Sequence, residues 1–477
     1  MSTESSQESA SPRNVSPIDR ESIQSARETL RSLSEILTEN STLPVGISSI
    51  RVAGAYNTRA GFLQKALQSC VDPSAKTIKS RPLLDTLNNI QETTGKLMAF
   101  GIYESANIKI DRASSAVSGE NDLDVIIQVK EKPRLFFETG TDVGNVEGNV
   151  HANVLARNLF GGAEFLSGNV SYGTRNRATM SAKFETPVNA SPATRLRVLG
   201  YSNVRDNKAI SSHELITRGL SVSLQHQDRF HGLHELSQNF FWRQVTRLSE
   251  FASPSIRLQA GDTIKQSLAY SYVMDTRDHP TLPSRGNYVR ALMELAGLGP
   301  VTGDARFLKS ELWHQYAVSL NRAQSVTLAV SSRLGAIKPL DESPILLCDR
   351  FTLGGSTSLR GFSEDRLGPK DGKDSLGGSA YLALSTSLLF PLPKLDASKP
   401  FRMQVFANAG GLTNLDARNP LNTYKSIMMR PCVSTGLGLV YASPAARFEL
   451  NFTIPIAVTG GDVGRKGLQL GAGIEFM

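Results

Sequence analysis

A few short stretches carry the residue types from which chemistry is usually made. "GGSTSLRGF", Gly354 to Phe362, sets glycines, hydroxyl residues and an arginine side by side, as a phosphate cradle would. A Walker loop requires a lysine that reaches the terminal phosphates, followed by Ser or Thr. Leu359-Arg360-Gly361-Phe362 breaks that order. A hydrolase elbow requires Gly-x-Ser-x-Gly, so that a strand turns sharply under an exposed hydroxyl, but Ser356 is followed two places later by Ser358. His226, His231 and His234 have a metal-like spacing, yet they fall at an expected hairpin without an ordered carboxylate and read as loop histidines. "DTRDHPTLPSRG", Asp275 to Gly286, reads as a salt-bridged turn built on Asp275, Arg277 and Asp278, with Pro280 ending a strand. Cys70, Cys348 and Cys432 are odd in number and far apart, which implies neither a disulfide framework nor a zinc ribbon. No Ser/His/Asp or paired-carboxylate arrangement stands out, so neither an enzyme nor a cofactor is expected.

The bulk properties narrow the class. The chain has 477 residues, 40% hydrophobic and 20% charged, with a mean hydropathy of -0.19. No apolar run approaches the length of a membrane helix. That excludes helical membrane proteins only, because a transmembrane barrel strand alternates lipid-facing and lumen-facing residues and has soluble-looking mean hydropathy. The net charge is +8, but Lys and Arg are scattered and form no dense nucleic-acid-binding run. The opening "MSTESSQESASPRN" lacks the apolar core of a secretory signal, and Glu4 and Glu8 argue against a cleaved organellar presequence.

The elements that must position these residues change texture along the chain. Residues 1 to about 16 have the composition of a disordered tail, and Ile23, Leu30, Leu33 and Leu37 follow at helical spacing, which completes a segment 1–44. Residues 45–132 read strand, helix, helix, strand, strand: "ISSIRVAG", "RAGFLQKALQSCV", "LLDTLNNIQETTGKLMAFG", "NIKIDRA" and "LDVIIQVKE". Gly54 closes the first strand, and Gly101 stands where a helix C-cap glycine belongs. From Pro133 to Met477 only strands follow. In "RFELNFTI", Phe448, Leu450, Phe452 and Ile454 share one face, and Arg447, Glu449, Asn451 and Thr453 share the other. Sixteen such strands can be counted, which leaves about 21 residues each, enough for a spanning strand and its connection. An even count closes an antiparallel barrel with both chain ends on one side, and the polar faces suit a wet lumen. The expected fold is therefore mainly β, a sixteen-stranded antiparallel transmembrane barrel after one small α+β domain.

Residues 45–132 resemble a polypeptide-transport-associated (POTRA) domain, through the "IRVAG" opening, the "LMAFGIYESANIKI" passage and the exit Val129-Lys130-Glu131-Lys132-Pro133. "RNLFGGAE" at the second hairpin, "DTRDHPTLPSRG" between the eighth and ninth strands, "STSLRGF" in the longest connection and "LGAGIEFM" at the end come in the order seen in the barrel-insertase superfamily that includes bacterial BamA. With a single POTRA-like domain and "LGPKD" after the loop motif, the chain is most similar to the mitochondrial sorting and assembly branch. The resemblance implies that residues 337–376 fold back into the barrel and set Leu359, Arg360, Gly361 and Phe362 against the inner wall. In bacterial relatives an acid on a "W/F-D-x-G"-like strand faces that arginine. The matching strand here is "FANAGG" with Asn408, so Arg360 is expected to bond neutral carbonyls or an acid elsewhere. "QLGAGIEF" is similar to the β-signal of mitochondrial barrel precursors: polar Gln469, then Gly471, Ile474 and Phe476.

The implied function is insertion of β-barrel precursors into the mitochondrial outer membrane, without nucleotide or metal. Partners would be the precursors, accessory subunits of the assembly complex and outer-membrane lipid, with no nucleic acid, and the POTRA-like domain would lie in the intermembrane space. The lateral gate would be the seam between the first strand, with Phe136, Phe137, Glu138, Thr139, Gly140, Thr141 and Asp142, and the last, over residues 467–477. Gly467, Gly471 and Gly473 lower strand propensity there and favour exchange with a client strand. The alternatives are a polypeptide-translocating pore of the same superfamily and a passive metabolite porin.

Overall fold

The structure is a computed structural model. It describes residues 35, 38–68, 81–113, 121–144, 147–297, 303–322, 325–393, 400–443, 446–459, 461–473 and 476. Almost all of the amphipathic helix expected before residue 38 lies outside these residues, as do Cys70 and Ile474. The chain divides into two compact units, 1–132 and 133–477.

In the first unit, β1 (Pro44–Ala53), α1 (Ala60–Leu67), β2 (Arg81–Pro82), α2 (Leu83–Ala99), β3 (Tyr103–Arg112) and β4 (Asp122–Glu131) build a sheet of order β2-β1-β4-β3. β4 is parallel to β1 and antiparallel to β3. Ile90, Leu97 and Phe100 from the helical side are buried, as are Val125 and Ile127 of β4. Gly54 has φ +91, and a Cβ there would lie 2.1 Å from Val129 O, so only glycine fits. Glu131 accepts hydrogen bonds from Asn57 N (3.1 Å) and Thr58 Oγ1 (2.9 Å), which ties the exit of the unit to the turn after β1.

The second unit is one sixteen-stranded sheet. Its strands are β5 (Leu135–Gly144), β6 (Glu147–Arg157), β7 (Phe165–Gly173), β8 (Asn176–Pro187), β9 (Thr194–Asp206), β10 (Glu214–Gln227), β11 (Gly232–Thr246), β12 (Gly261–Asp275), β13 (Gly286–Ala296), β14 (Phe307–Ser319) and β15 (Thr327–Pro339). After a long loop containing the small hairpin β16 (Lys370–Asp371) and β17 (Asp374–Ser375) come β18 (Ala380–Pro391), β19 (Phe401–Thr413), helix α3 (Pro420–Met429), β20 (Cys432–Ala442), β21 (Arg447–Ala457) and β22 (Gly467–Gly473). Each wall strand pairs antiparallel with its neighbour, and β5 and β22 are the two ends of the order.

Period-two alternation decides what each face meets. Along β21, Phe448, Leu450, Phe452 and Ile454 are exposed outward, whereas Arg447, Glu449, Asn451 and Thr453 are buried inward. The outward set faces lipid and the inward set faces the loop of residues 340–379. That loop contributes to an inner core in which Phe351, Leu353, Leu359, Phe362 and Leu367 pack on Phe307, Ile337, Ala383 and Leu412 of the wall.

Candidate functional site

The tip of the inward loop is fixed by a few polar contacts. Gly361 has φ +85, and a Cβ there would lie 2.8 Å from Ser434 Cβ, so glycine alone lets the tip turn this close to the wall. Gly361 N donates to Gln469 Oε1 (2.9 Å), and Gln469 Nε2 donates back to Phe362 O (3.2 Å). Ser434 Oγ donates to Arg360 O. Arg465 N donates to Gly361 O (2.8 Å), and Phe362 forms a bridge with Gly464. The tip is thus bonded to β20, to β22 and to the connection before β22.

Arg360, completely buried, finds an acid that the sequence did not place. Its Nε and Nη2 donate to Glu449 Oε2 and Oε1 at 3.0 and 3.1 Å, a two-pronged pairing that fixes geometry as well as charge. The acid comes from β21. Asn408, on β19, presents its carboxamide oxygen to Arg360 N (3.1 Å) and its nitrogen to Ser385 Oγ (2.7 Å) when the amide is oriented to satisfy both.

A second arginine shares the acid. Arg447 Nη2 lies 2.6 Å from Glu449 Oε1 and 3.2 Å from Gln404 Oε1, and its Nη1 donates to Thr281 O (3.4 Å). Gln404 Nε2 and Asn451 Nδ2 also donate to Glu449, at 3.0 and 2.8 Å. Two guanidinium groups against one carboxylate leave an excess of positive charge. The Phe476 ring lies 5.2 Å from Arg447 and 6.0 Å from Arg360, and Phe406 lies 5.0 Å from Arg360, distances at which ring faces attract cations.

Phe476 corrects the expectation for the last strand, which was to run to the end of the chain. β22 ends at Gly473. An unbroken strand would point Phe476 outward with Leu468 and Leu470; instead Phe476 is 4% exposed and packs against the two arginines. Gly471 makes room, since a Cβ there would lie 3.1 Å from the Phe476 ring and 3.3 Å from Ser356. Gln469 and Gly471 face inward as the alternation requires, and Gly467 pairs with Thr453 at the strand's start.

The loop is also tied to other parts of the wall. Asp349, near its root, accepts from Arg243 Nη1 (2.7 Å) of β11 and Lys265 Nζ (3.1 Å) of β12. Asp365 pairs with Arg175 in the connection before β8 and with Arg205 of β9. Asp374 accepts from Ser212 Oγ (2.6 Å) and Ser253 N (2.8 Å).

The first strand pairs with β6 throughout. Phe136, Glu138, Gly140 and Asp142 stand opposite Leu155, Asn153, His151 and Asn149, whereas Phe137, Thr139 and Thr141 stand opposite Val154, Ala152 and Val150. Arg157, in "RNLFGG", donates to Pro133 O (3.1 Å) and lies 5.4 Å from the Phe136 ring. Cα atoms of β5 and β22 come within 8 Å, but no ladder joins the two strands among the described residues.

The Asp275 turn sits at the rim where β5 begins. Arg277 forks onto Asp275 (2.9 and 2.7 Å) and reaches Gln315 Oε1 (2.7 Å). β12 ends at Asp275, five residues before Pro280. Asp278 gathers the N–H groups of His279, Ser284 and Arg285. Burial would raise its pKa, but the Ser284 hydroxyl and these N–H groups outweigh burial and hold it below the usual aspartate value. His226 and His234 are cross-strand partners rather than loop residues, with His234 Nδ1 2.8 Å from the Tyr270 hydroxyl.

Residues 158–476 match the Omp85 superfamily domain. The SAM50-like protein of Schizosaccharomyces pombe is 69% identical, with 100% of both chains covered. The human sorting and assembly machinery component 50 homolog is 32% identical over 84% of this chain and 85% of its own. Among solved structures, BamA from Haemophilus ducreyi lacking POTRA domains 1–3 superposes with a TM-score of 0.74 at 16% identity, covering 90% of this chain and 84% of that one. Domain match and fold agree, and this chain belongs to the Omp85 superfamily.

Proposed function

We propose that this protein inserts and folds β-barrel precursors in the mitochondrial outer membrane by exchanging its last strand for a client strand at the seam between β5 and β22. The insertase role and the outer-membrane location follow from the family and from the sorting and assembly relatives. The strand-exchange step rests on one observation, that the hydrogen-bonded order ends at β5 and β22. In lipid each unpaired backbone group costs several kcal/mol, so a client strand that pairs with β5 removes a penalty that the open seam would incur. β22 is the weaker holder of that position. Gly467, Gly471 and Gly473 lower its strand propensity, and Phe476 turns inward instead of continuing the outward face. The clamp around Glu449 keeps the seam latent by holding Phe476 inside. Arg360 on the loop tip and Arg447 on β21 share that grip, and Gln469 ties β22 to the same tip. The first unit then lies in the intermembrane space. The chain acts within an assembly complex with accessory subunits.

The test uses a chain with Cys70, Cys348 and Cys432 replaced by serine. Cysteine pairs between 136–142 and 469–473 should form disulfides without client and lose them as client accumulates. A locked seam should abolish insertion of a barrel precursor, whereas a lock across the register pair Ser221 and Asn239 of β10 and β11 should not. Insertion at the normal rate through a locked seam would overturn strand exchange.

A further inference from the structure

We propose that α3 is a membrane-interface helix whose outer face enters the headgroup region of the adjoining leaflet and binds anionic lipid. The helix follows β19 at the rim opposite the one where β5 begins. Its inner side carries the buried Thr423 and Ile427. Ile427 Cγ2 lies 3.1 Å from the position a Cβ would take at Gly411. Gly411 shares its face of β19 with the exposed Val405 and Ala407, while Gln404, Phe406 and Asn408 on the other face are buried in the lumen. The helix is therefore seated on the outside of the wall. Tyr424, whose hydroxyl donates to Gly335 O (2.9 Å), sets its roll.

At about 100° per residue, the side opposite Thr423 and Ile427 carries Leu421, Lys425, Met428 and Met429. The three apolar residues are 75%, 65% and 83% exposed. On an outer wall already lined by exposed Leu384, Val405 and Leu437, this face continues the lipid-facing surface past the strand ends. A lysine centred among apolar side chains can bury its stem and raise its ammonium to the phosphates, and Arg430 adds a second cation at the helix end. Continuity with the lipid-facing wall and positive charge together select an anionic leaflet as the occupant.

The test uses the full chain with its three cysteines replaced by serine and an environment-sensitive dye at Met429→Cys, in vesicles of phosphatidylcholine with a minor fraction of phosphatidylserine. Emission should shift to the blue, and a shallow lipid-borne quencher should reduce it about twofold more than for a dye at Lys373→Cys, on the exposed turn between β16 and β17. Adding Lys425→Glu should reverse the gain that phosphatidylserine gives over phosphatidylcholine alone. A photoreactive residue at Met428 should yield lipid adducts, both in vesicles and in mitochondria. Quenching equal to that at Lys373, no dependence on phosphatidylserine, or adducts to protein rather than lipid in mitochondria would each overturn the proposal.

Discussion

Glu449 serves two arginines, so removing the acid and removing one base have different consequences. Arg360→Ala leaves Glu449 paired with Arg447 and hydrogen-bonded by Gln404 and Asn451. Glu449→Gln leaves two buried guanidinium groups facing each other without a counter-charge, a defect of about 3–5 kcal/mol. Glu449→Gln should therefore lower the unfolding midpoint of the barrel in urea more than Arg360→Ala does. Arg360→Ala should mainly slow precursor insertion, because it frees the loop tip while the strands stay paired. Equal midpoints for the two variants would mean that Arg447 does not share the acid. At the proximal turn, Asp278 contributes stability that is full above the ordinary aspartate pKa and fades as pH falls through its depressed value. Asp278→Asn should remove that acid-range dependence, as read by proteolysis of the turn.

Among the elements, the strand pattern was the most legible part, because period-two alternation needs only neighbours in sequence. "RFELNF" announced both its lipid face and its polar face, and so placed Arg447 and Glu449 in the lumen. It could not show that Glu449 lies opposite Arg360, 89 positions away in sequence. That meeting depends on barrel curvature and on where the loop re-enters, which no local period encodes. Asp349 was missed for the same reason, lying in a loop without periodicity and bonded to two strands. The end of β22 misled in another way. Alternation through "QLGAGIEF" is intact, but the pull of two cations on an aromatic ring and the space above Gly471 bring Phe476 inward. Gly471→Val should expel the ring, since the new side chain would press on it. Phe476→Ala should loosen β22 without crowding. Both should reduce client-free disulfides between 136–142 and 469–473, and a Phe476→Ala chain that crosslinks like the parent would show that the ring holds nothing.

Across the whole barrel, strand lengths are uneven around the wall. β10, β11 and β12 have 14, 15 and 15 residues, against 10 in β5. At ~3.3 Å per residue and a tilt of roughly 45°, β5 spans about two thirds of the height of β11 and β12, a difference that would thin the bilayer beside it. A spin label on the outward Leu470 should be nearer to aqueous relaxation agents than one on Leu236 of β11, and equal depths would remove thinning from the mechanism. The loop's attachments have a further consequence for the barrel as a conductor. Asp349 covers Arg243 and Lys265, and Asp365 covers Arg175 and Arg205. A loop that lifted to admit a strand would carry its acids away and leave Arg243, Arg175 and Arg205 lining the passage, with Lys265 still held by Glu294 of the wall. Brief openings in a planar bilayer under a salt gradient should then show a reversal potential set by chloride, and Asp349→Asn should make these openings more frequent without changing their ion preference.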